Sequence, residues 1–316
     1  MKSLLDQLPP SEENRSEWPY TIESKSLPDR NPDGSTWPRI TIVTPSYNQG
    51  EFIEETIRSV LLQNYPNLEY IIIDGGSTDH TLDIIKKYEP WIDYWISEPD
   101  HGQSDAINKG FSKSTGIYGN WINSDDLLAK DALYKAASYL PNSDKKTLFI
   151  GKCYITNRDR SQTKLVQSTI KSFEQLINIK HEWRNNNSIS QQNVLFNLEN
   201  FKNVGGLNVG NNFAMDFELW GDLLLSGCKI EKLDFPMGIF RQYEGQKISD
   251  KVATTYCLIQ TAMRLINKNK DWSLYKKLSV KFSLFTYKTN YRYKYLRKKL
   301  NMRKRFYSHF ENTLKG

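Results

Sequence analysis

Residues 39–74, RITIVTPSYNQGEFIEETIRSVLLQNYPNLEYIIID, decide the fold of this chain. The apolar runs at 39–45 and 68–74 are typical of strands that are buried on both faces. The segment between them carries apolar residues at helical spacing, namely Phe52, Ile53, Ile57, Val60 and Leu61. A strand, a helix and a second strand in this order predict a βαβ unit with parallel strands.

The same alternation continues to residue 126. We expect a helix at 81–88, a strand at 92–98, a helix at 104–112, a strand at 118–123 and a helix after it. Beyond Pro141 the strand-like segments TLFIGKCYI, SQQNVLF and CKIEKLDFPMGIF mix with one helix, MDFELWGDLLLS. The pattern therefore predicts an α/β fold, with a mostly parallel sheet flanked by helices and a smaller antiparallel portion.

Three regions follow from these changes in pattern. Residues 1–38 are polar and rich in Pro and Asp, which predicts a loosely packed extension or a linker. Residues 39–250 form the main domain, whose two halves meet after residue 126. Residues 251–316 are predicted to be helical and basic.

Charge is divided unevenly along the chain. The 316 residues carry a net charge of +7, but residues 264–316 hold sixteen Lys or Arg against two acids, a balance of +14. The remaining 263 residues therefore sum to −7. A basic tail on an acidic body predicts an anionic partner for the tail alone.

Cysteine use and hydropathy predict the compartment. The chain has three distant cysteines and no CxxC pair. It shows no apolar leader near the N-terminus and no run of eighteen apolar residues. These features are typical of a cytoplasmic protein. We expect a protein that is cytoplasmic or lies on the inner face of the plasma membrane.

Polar residues follow the predicted strands at the edge where α/β sheets bind ligands. Asp74 and Glu98 end two strands, and Asn123-Ser124-Asp125-Asp126 follows the fourth. Adjacent carboxylates and an amide are suitable ligands for Mg²⁺ or Mn²⁺. Capping of the following helix by Asp125 or Asp126 remains an alternative.

Two glycine-containing loops could approach a ligand. TPSYNQGEF (44–52) precedes a helix N-terminus but is neither a GxGxxG nor a GxxxxGK[ST] motif, so an ordinary turn stays possible. In IIDGGSTDHT (72–81), Asp74 could accept hydrogen bonds from a base or ribose. Asp79 lies in the first turn of the next helix, where its negative charge would equally well complement the helix dipole instead of binding a ligand.

Three segments taken together resemble the family 2 glycosyltransferases, which have the GT-A fold. They are residues 44–85, EPDHGQSDAINKG (98–110) and GNWINSDD (119–126), within a resemblance that spans about residues 39–245. The resemblance implies a nucleotide-sugar donor and a divalent cation, and it makes 39–126 the nucleotide-binding half and 127–250 the acceptor half. The donor-binding residues that it implies are Thr44, Pro45, Tyr47, Asp74, Gln103, Asn108, Asn123 and Ser124.

The resemblance also implies chemical roles. The family's Asp-x-Asp motif falls on Asn123-Ser124-Asp125, so Asp125 would bind Mn²⁺ or Mg²⁺, and Asn123 departs from the pattern by bringing no charge. The family's Glu-Asp motif falls on Met215-Asp216, which implies that Asp216 is the catalytic base. Glu218 is the fallback, and helix capping is the alternative for Asp216.

Two further segments match less specific parts of the family. FRQYEGQKIS (240–249) implies that Arg241 and Lys247 neutralise the diphosphate, although a solvated basic loop is an alternative. SQQNVLF (190–196) lies where the family binds acceptor, which implies contacts from Gln191 and Gln192 to sugar hydroxyls; a polar sheet edge is the alternative.

Residues 274–305 combine basic residues with a predicted apolar helix face, made of Val280, Leu284, Tyr287, Tyr291 and Tyr295. Helices of this kind bind anionic membrane surfaces. Packing of the aromatic residues on the domain is the alternative. No RNP, helix-turn-helix or zinc-finger pattern is present, so we expect no nucleic-acid partner.

The resemblance thus implies an inverting transferase that moves a sugar from a nucleotide diphosphate donor, expected to be UDP-linked, to a hydroxyl acceptor. A glycan or lipid-linked acceptor in bacterial surface polysaccharide or glycolipid assembly is expected. A catalytically silent glycan-binding or scaffolding subunit is an alternative, since Asn123 and Met215 depart from the family. A nucleotidyltransferase is less favoured, because the 44–52 loop has no basic residue.

Overall fold

The computed structural model describes residues 3–10, 17–141, 143–182, 187–244, 246 and 251–289. The helices are α1 (Leu4–Gln7), α2 (Ile53–Leu61), α3 (Thr81–Tyr88), α4 (Gln103–Lys113), α5 (Ala132–Ala136), α6 (Phe173–Ile177), α7 (Ile179–Glu182), α8 (Leu198–Asn203), α9 (Met215–Leu225) and α10 (Lys251–Lys268). A further helix occupies residues 274–289. The strands are β1 (Ile40–Ser46), β2 (Leu68–Asp74), β3 (Tyr94–Ser97), β4 (Tyr118–Trp121), β5 (Leu127–Leu128), β6 (Thr147–Thr156), β7 (Thr163–Val166), β8 (Val194–Asn197) and β9 (Lys229–Arg241).

The strands form one sheet in the order β3-β2-β1-β4-β8-β6-β9-β5, and β7 pairs with β6. β3, β2, β1 and β4 are parallel neighbours, as predicted. β8 is antiparallel to both β4 and β6, whereas β9 runs parallel to β6. The α/β fold with a mostly parallel sheet and a smaller antiparallel portion is therefore confirmed.

Apolar clusters on both faces of the sheet explain the continuous apolar runs of β1 and β2. Ile40, Ile42 and Ile72 belong to one cluster, while Val43 and Ile71 belong to the other. Successive side chains of a strand point to opposite faces, so a strand covered on both sides needs apolar residues at every position.

The described parts of residues 1–38 are packed more closely than the sequence suggests. Trp18 is buried, and its indole N–H donates to the carbonyl of Leu128 at 3.0 Å. The guanidinium of Arg58 on α2 donates to the carbonyl oxygens of Pro9 and Pro19, at 2.9 and 3.2 Å. Buried aromatic residues in this otherwise polar segment fix it to the domain.

The C-terminal helices pack on the second half of the main domain. Gly221 of α9 lies against Leu265 of α10, where a larger side chain would collide with the leucine. Leu284 of the 274–289 helix is buried in the same cluster. None of the described helices is long and apolar enough to cross a bilayer.

Candidate active site

A cavity of about 820 Å³ lies where the parallel strands end. Segments that follow β1, β2, β3 and β4 line one side, and residues of the 188–192 segment, α9 and α10 line the other. Of the predicted site residues, the cavity brings together Pro45, Tyr47, Gln103, Asn123, Ser124, Asp125, Gln191, Gln192 and Asp216. Both halves of the main domain thus contribute to one space.

Asp125 presents a carboxylate to this cavity. Its Oδ2 accepts hydrogen bonds from the hydroxyl of Tyr243 at 3.0 Å and from Nε2 of Gln246 at 2.8 Å. Within the described residues, no hydrogen bond reaches its Oδ1. The side chain is therefore oriented by two donors and retains one oxygen for a ligand.

Asp126 is buried behind Asp125. Its Oδ1 accepts from the backbone N–H of Arg241 at 2.9 Å, and its Oδ2 accepts from Nε2 of Gln192 at 2.6 Å. Burial, and then the charge of Asp125, raise the pKa of Asp126 well above its usual range. This carboxyl organises the site from within the protein.

Asn123 joins the acidic pair to α4. Its Oδ1 accepts from Nε2 of Gln103 at 2.6 Å, and its Nδ2 donates to Asp126 at 3.3 Å. Ser124 is buried, and its carbonyl oxygen accepts from the hydroxyl of Thr56 at 2.9 Å. The segment after β4 is therefore held by side chains from both flanking helices.

A divalent cation fits this site only in company with a substrate. Among the described residues, no group of three or more His, Cys, Asp or Glu side chains could hold a metal ion by itself. Mg²⁺ commonly uses one or two carboxylates and completes its shell with water and substrate phosphates. Asp125, with its available oxygen, matches that mode of binding.

Asp216 lies on the opposite side of the cavity, in the first turn of α9. Ala214 occupies the capping position and makes no side-chain cap, so Asp216 is not the cap of this helix. Its Oδ1 accepts from the backbone N–H of Phe217 at 2.7 Å, and burial raises its pKa to about 6. A carboxylate with a raised pKa at a cavity wall can act as a general base.

Asp74 does not face the cavity, although it ends β2 as predicted. Its Oδ2 accepts from the N–H groups of Gly76 and Ser77 at 3.1 and 2.8 Å. Its Oδ1 and Oδ2 also accept from the hydroxyls of Ser77 and Ser97, at 2.6 and 2.7 Å respectively. These four bonds hold the turn, and Gly75 is the residue of this turn that lines the cavity.

Asp100 occupies the space in front of Gly75, and the sequence reasoning did not single it out. A side chain at position 75 would meet Oδ2 of Asp100 at 2.9 Å. The other oxygen, Oδ1, accepts from the N–H of Gly102 at 2.7 Å. The available signal was its place three residues after the end of β3, in the segment that leads into α4.

Arg241 is not brought to the cavity. Phe240 lines the cavity, and neighbouring side chains of a strand point to opposite faces. Arg241 accordingly points into the core, is 1% exposed and pairs with the carboxylate of Glu55 on α2. Its guanidinium also lies 4.8 Å from the ring of Phe52. Lys247 lies outside the described residues.

Three other predicted residues also have structural partners away from the cavity. The hydroxyl of Thr44 is buried and lies 3.1 Å from that of Tyr70. Asn108 exchanges two hydrogen bonds with the backbone of Leu207, at 2.8 and 2.9 Å. Glu218 accepts from Arg264 at 2.9 Å and is buried. Asp216 is therefore the better placed of the two candidate bases.

The family model described as glycosyl transferase family 2 matches residues 41–205. The chain belongs to this family. The match includes Asp125 and the cavity-lining segments that follow β1, β2, β3 and β4, whereas Asp216 lies beyond it. The resemblance found in the sequence is thereby confirmed.

Curated glycosyltransferases are similar to part of the chain. This family 2 chain is 40% identical over 107 residues to the putative teichuronic acid biosynthesis glycosyltransferase TuaG of Bacillus subtilis, covering 33% of the chain and 42% of that protein. It is 39% identical over 80 residues to the uncharacterized glycosyltransferase Rv1514c of Mycobacterium tuberculosis, covering 25% and 30%. The chain thus spans less than half the length of the curated relatives that it matches.

Solved structures share the fold over most of the chain. S. aureus TarS 1-349 in complex with UDP-GlcNAc superposes with a TM-score of 0.58 at 18% identity, covering 78% of this chain and 71% of that one. The mannosyltransferase PcManGT of Pyrobaculum calidifontis, in complex with GDP-Man and Mn²⁺, gives 0.52 at 18% identity, covering 79% and 69%. The family 2 chain therefore has the GT-A type fold of these glycosyltransferases.

Proposed function

We propose that this chain transfers a sugar from a nucleoside diphosphate donor to a hydroxyl acceptor. The observation that carries the proposal is the shared cavity of about 820 Å³, which has Asp125 on the donor side and Asp216 on the acceptor side. A donor bound along the strand ends would place its diphosphate near Asp125 and its sugar toward Asp216.

The donor side has the features that a nucleoside diphosphate needs. Pro45, Tyr47, Gly75 and Asp100 line the end of the cavity next to β1 and β2. Tyr47 is 61% exposed, which leaves its ring available for stacking on a base. Oδ2 of Asp100, which no hydrogen bond reaches within the described part of the chain, can accept one from the base or ribose. We propose a UDP sugar as the donor, in keeping with the UDP-GlcNAc bound to TarS.

The reaction that we propose is a direct displacement at the anomeric carbon, which inverts its configuration. A divalent cation held by Asp125 supplies, when bound, positive charge against the departing diphosphate. Asp216 accepts the proton from the attacking hydroxyl, a role that suits a carboxylate whose pKa is raised to about 6. Tyr243 and Gln246 keep Asp125 oriented, and the buried Asp126 keeps the segment after β4 in place.

The acceptor is proposed to be a growing surface polysaccharide or a lipid-linked glycan. The match to a relative named for teichuronic acid biosynthesis supports this pathway. Gln191 and Gln192 line the cavity near Asp126, and the amide Nε2 of Gln192 donates a hydrogen bond to the Asp126 carboxyl. Contacts from these two amides to the sugar acceptor remain a prediction.

A panel of nucleotide sugars tests this function. Melting temperatures are measured with each donor, with and without Mn²⁺, because a ligand that binds the native state raises the melting temperature. We expect one class of donor to stabilise the protein, and slow hydrolysis of that donor to stop in EDTA. Donor binding without hydrolysis or transfer to any extract-derived acceptor would instead favour a catalytically silent glycan-binding subunit.

A further inference from the structure

The 274–289 helix carries two apolar faces, and only one of them packs on the domain. Val280, Leu284 and Tyr287 lie four and three residues apart, and all three contact the core cluster, in which Leu284 is 3% exposed. This is the described part of the face that the sequence predicted for membrane contact; Tyr291 and Tyr295 lie outside the described residues. Packing on the domain therefore uses that face.

The second face, which we call the outer face, consists of Leu274, Leu278, Phe282 and Phe285. Their spacing of four, four and three residues places them on one stripe of the helix. Their exposed fractions are 73%, 56%, 69% and 55%. A contiguous set of large exposed apolar side chains on a folded protein marks an interaction surface.

The charge around the outer face identifies the kind of partner. Lys277, Lys281 and Lys288 are four and seven residues apart, so they follow one edge of this face. The described residues 272–289 contain four Lys and no Asp or Glu. A second copy of the chain would place Lys residues against Lys residues, which repel each other. A nucleic acid would complement the basic residues but not the apolar stripe. An anionic lipid surface complements both the apolar and the basic residues.

The helix is attached to the elements that wall the acceptor end of the cavity. Leu176 of α6 lines that end, and Phe173, in the same helix, packs its ring 5.6 Å from that of Trp272. Lys276 pairs with Glu174 of α6. Lys288 lies 3.9 Å from the ring of Tyr256 on α10, two residues after Thr254, which lines the cavity.

We propose that the outer face binds the surface of a membrane containing anionic lipids, with the four apolar side chains inserted at the headgroup level. Because α6 and α10 connect this helix to the cavity, binding would hold the acceptor end close to the lipid surface. The inference goes beyond sugar transfer, since membrane binding requires neither donor nor catalysis.

Flotation of the full chain with vesicles tests the proposal. One set contains equal amounts of phosphatidylglycerol and phosphatidylcholine, and the other contains phosphatidylcholine alone. We expect the protein to float with the first set and not with the second. The double variant L278S/F282S should lower the partition coefficient by at least about tenfold, because each side chain loses a favourable transfer from water.

A matched control replaces two apolar residues that are exposed elsewhere, Ile117 on the approach to β4 and Leu165 on β7, which are 49% and 44% exposed. The variant I117S/L165S should partition like the original chain. Thermal melting of both double variants establishes that each is folded before flotation.

Three results would overturn the proposal. The first is unchanged flotation of the folded L278S/F282S variant, and the second is equal binding to both kinds of vesicle. The third is a dimer in light scattering that L278S/F282S dissociates, without flotation of the original chain, which would assign the outer face to self-association. Because no donor is present, a failure here is distinct from a failure of the proposed transferase activity.

Discussion

The guanidinium of Arg241 forms a buried ion pair with the carboxylate of Glu55, although the two residues are 186 positions apart in the chain. Glu55 also pairs with Arg160, from the turn between β6 and β7, at 2.7 Å. The backbone N–H of Arg241 donates to Asp126. This arrangement joins α2 to the end of β9, and the residues that orient Asp125 follow directly.

We expect Arg241→Met to destabilise the protein by about 3 kcal/mol, because removing one partner leaves a buried carboxylate with less compensating charge. The melting temperature should fall by several degrees. Arg158→Met is the matched control. Its guanidinium contacts the rings of Phe52 and Tyr243, but it pairs with the exposed Glu51, so its loss should lower the melting temperature far less. Equal losses in the two variants would contradict a structural role for Arg241.

The parallel half of the fold could be predicted because its signals are local. Strands buried on both faces read as unbroken apolar runs, and amphipathic helices separate them at regular spacing. The place of Asp125 follows from the same logic, since it comes directly after β4. Asp216 could be proposed because it opens a helix in a segment that resembles the family's Glu-Asp motif.

Side-chain direction could not be predicted, because it depends on contacts that are distant in sequence. Arg241 points into the core since Phe240 takes the cavity face, and its partner Glu55 is on α2. Both stripes of the 274–289 helix are apolar, so only the packed structure distinguishes the one containing Leu284 from the one containing Phe282.

Donor recognition should depend on Asp100 more than on Asp74. Asp100→Asn removes a charged acceptor at the cavity, so we expect about a tenfold loss of donor affinity by calorimetry and little change in melting temperature. Asp74→Asn should instead lower stability by about 1–3 kcal/mol, because an amide cannot accept all four of the hydrogen bonds made by the carboxylate. If Asp74→Asn abolishes donor binding in a protein of unchanged stability, Asp74 contacts the donor after all.

Metal-dependent donor binding should require both Asp125 and its orientation. Burial, and then the charge of Asp125, raise the pKa of the Tyr243 hydroxyl, so it stays protonated and remains a hydrogen-bond donor. We expect Asp125→Asn to remove the part of the donor-induced melting shift that needs Mn²⁺. Tyr243→Phe should lower the Mn²⁺-dependent donor affinity by roughly tenfold, the effect of one hydrogen bond to a charged group. A shift in the original protein that is the same with Mn²⁺ and with EDTA would refute a metal role for Asp125.

Asp216 should determine the acid limb of the pH–rate profile. Its carboxyl must be ionised to accept a proton, so kcat/KM is expected to fall below a pKa of about 6 instead of near 3.8. Asp216→Asn should lower turnover by about 10²–10⁴-fold while donor affinity, measured by calorimetry, stays within a factor of about two. Loss of turnover and donor affinity together would mean that Asp216 binds the donor and does not act as the base.

The buried charge of Asp216 should also lower the stability of the folded protein at alkaline pH. Because burial raises the pKa of Asp216 in the folded protein, the folded state binds the proton more tightly than the unfolded state does. The stability that the protonated Asp216 contributes is therefore fully present below pH 3.8 and is lost as the pH rises through about 6. Asp216→Asn removes the cost of the buried charge, so it should stabilise the protein at pH 8 by about 1–3 kcal/mol, with the lower end favoured because part of the side chain reaches solvent. At pH 4 the gain should nearly vanish. A gain of the same size at both pH values would show that the effect comes from packing and not from the charge of Asp216.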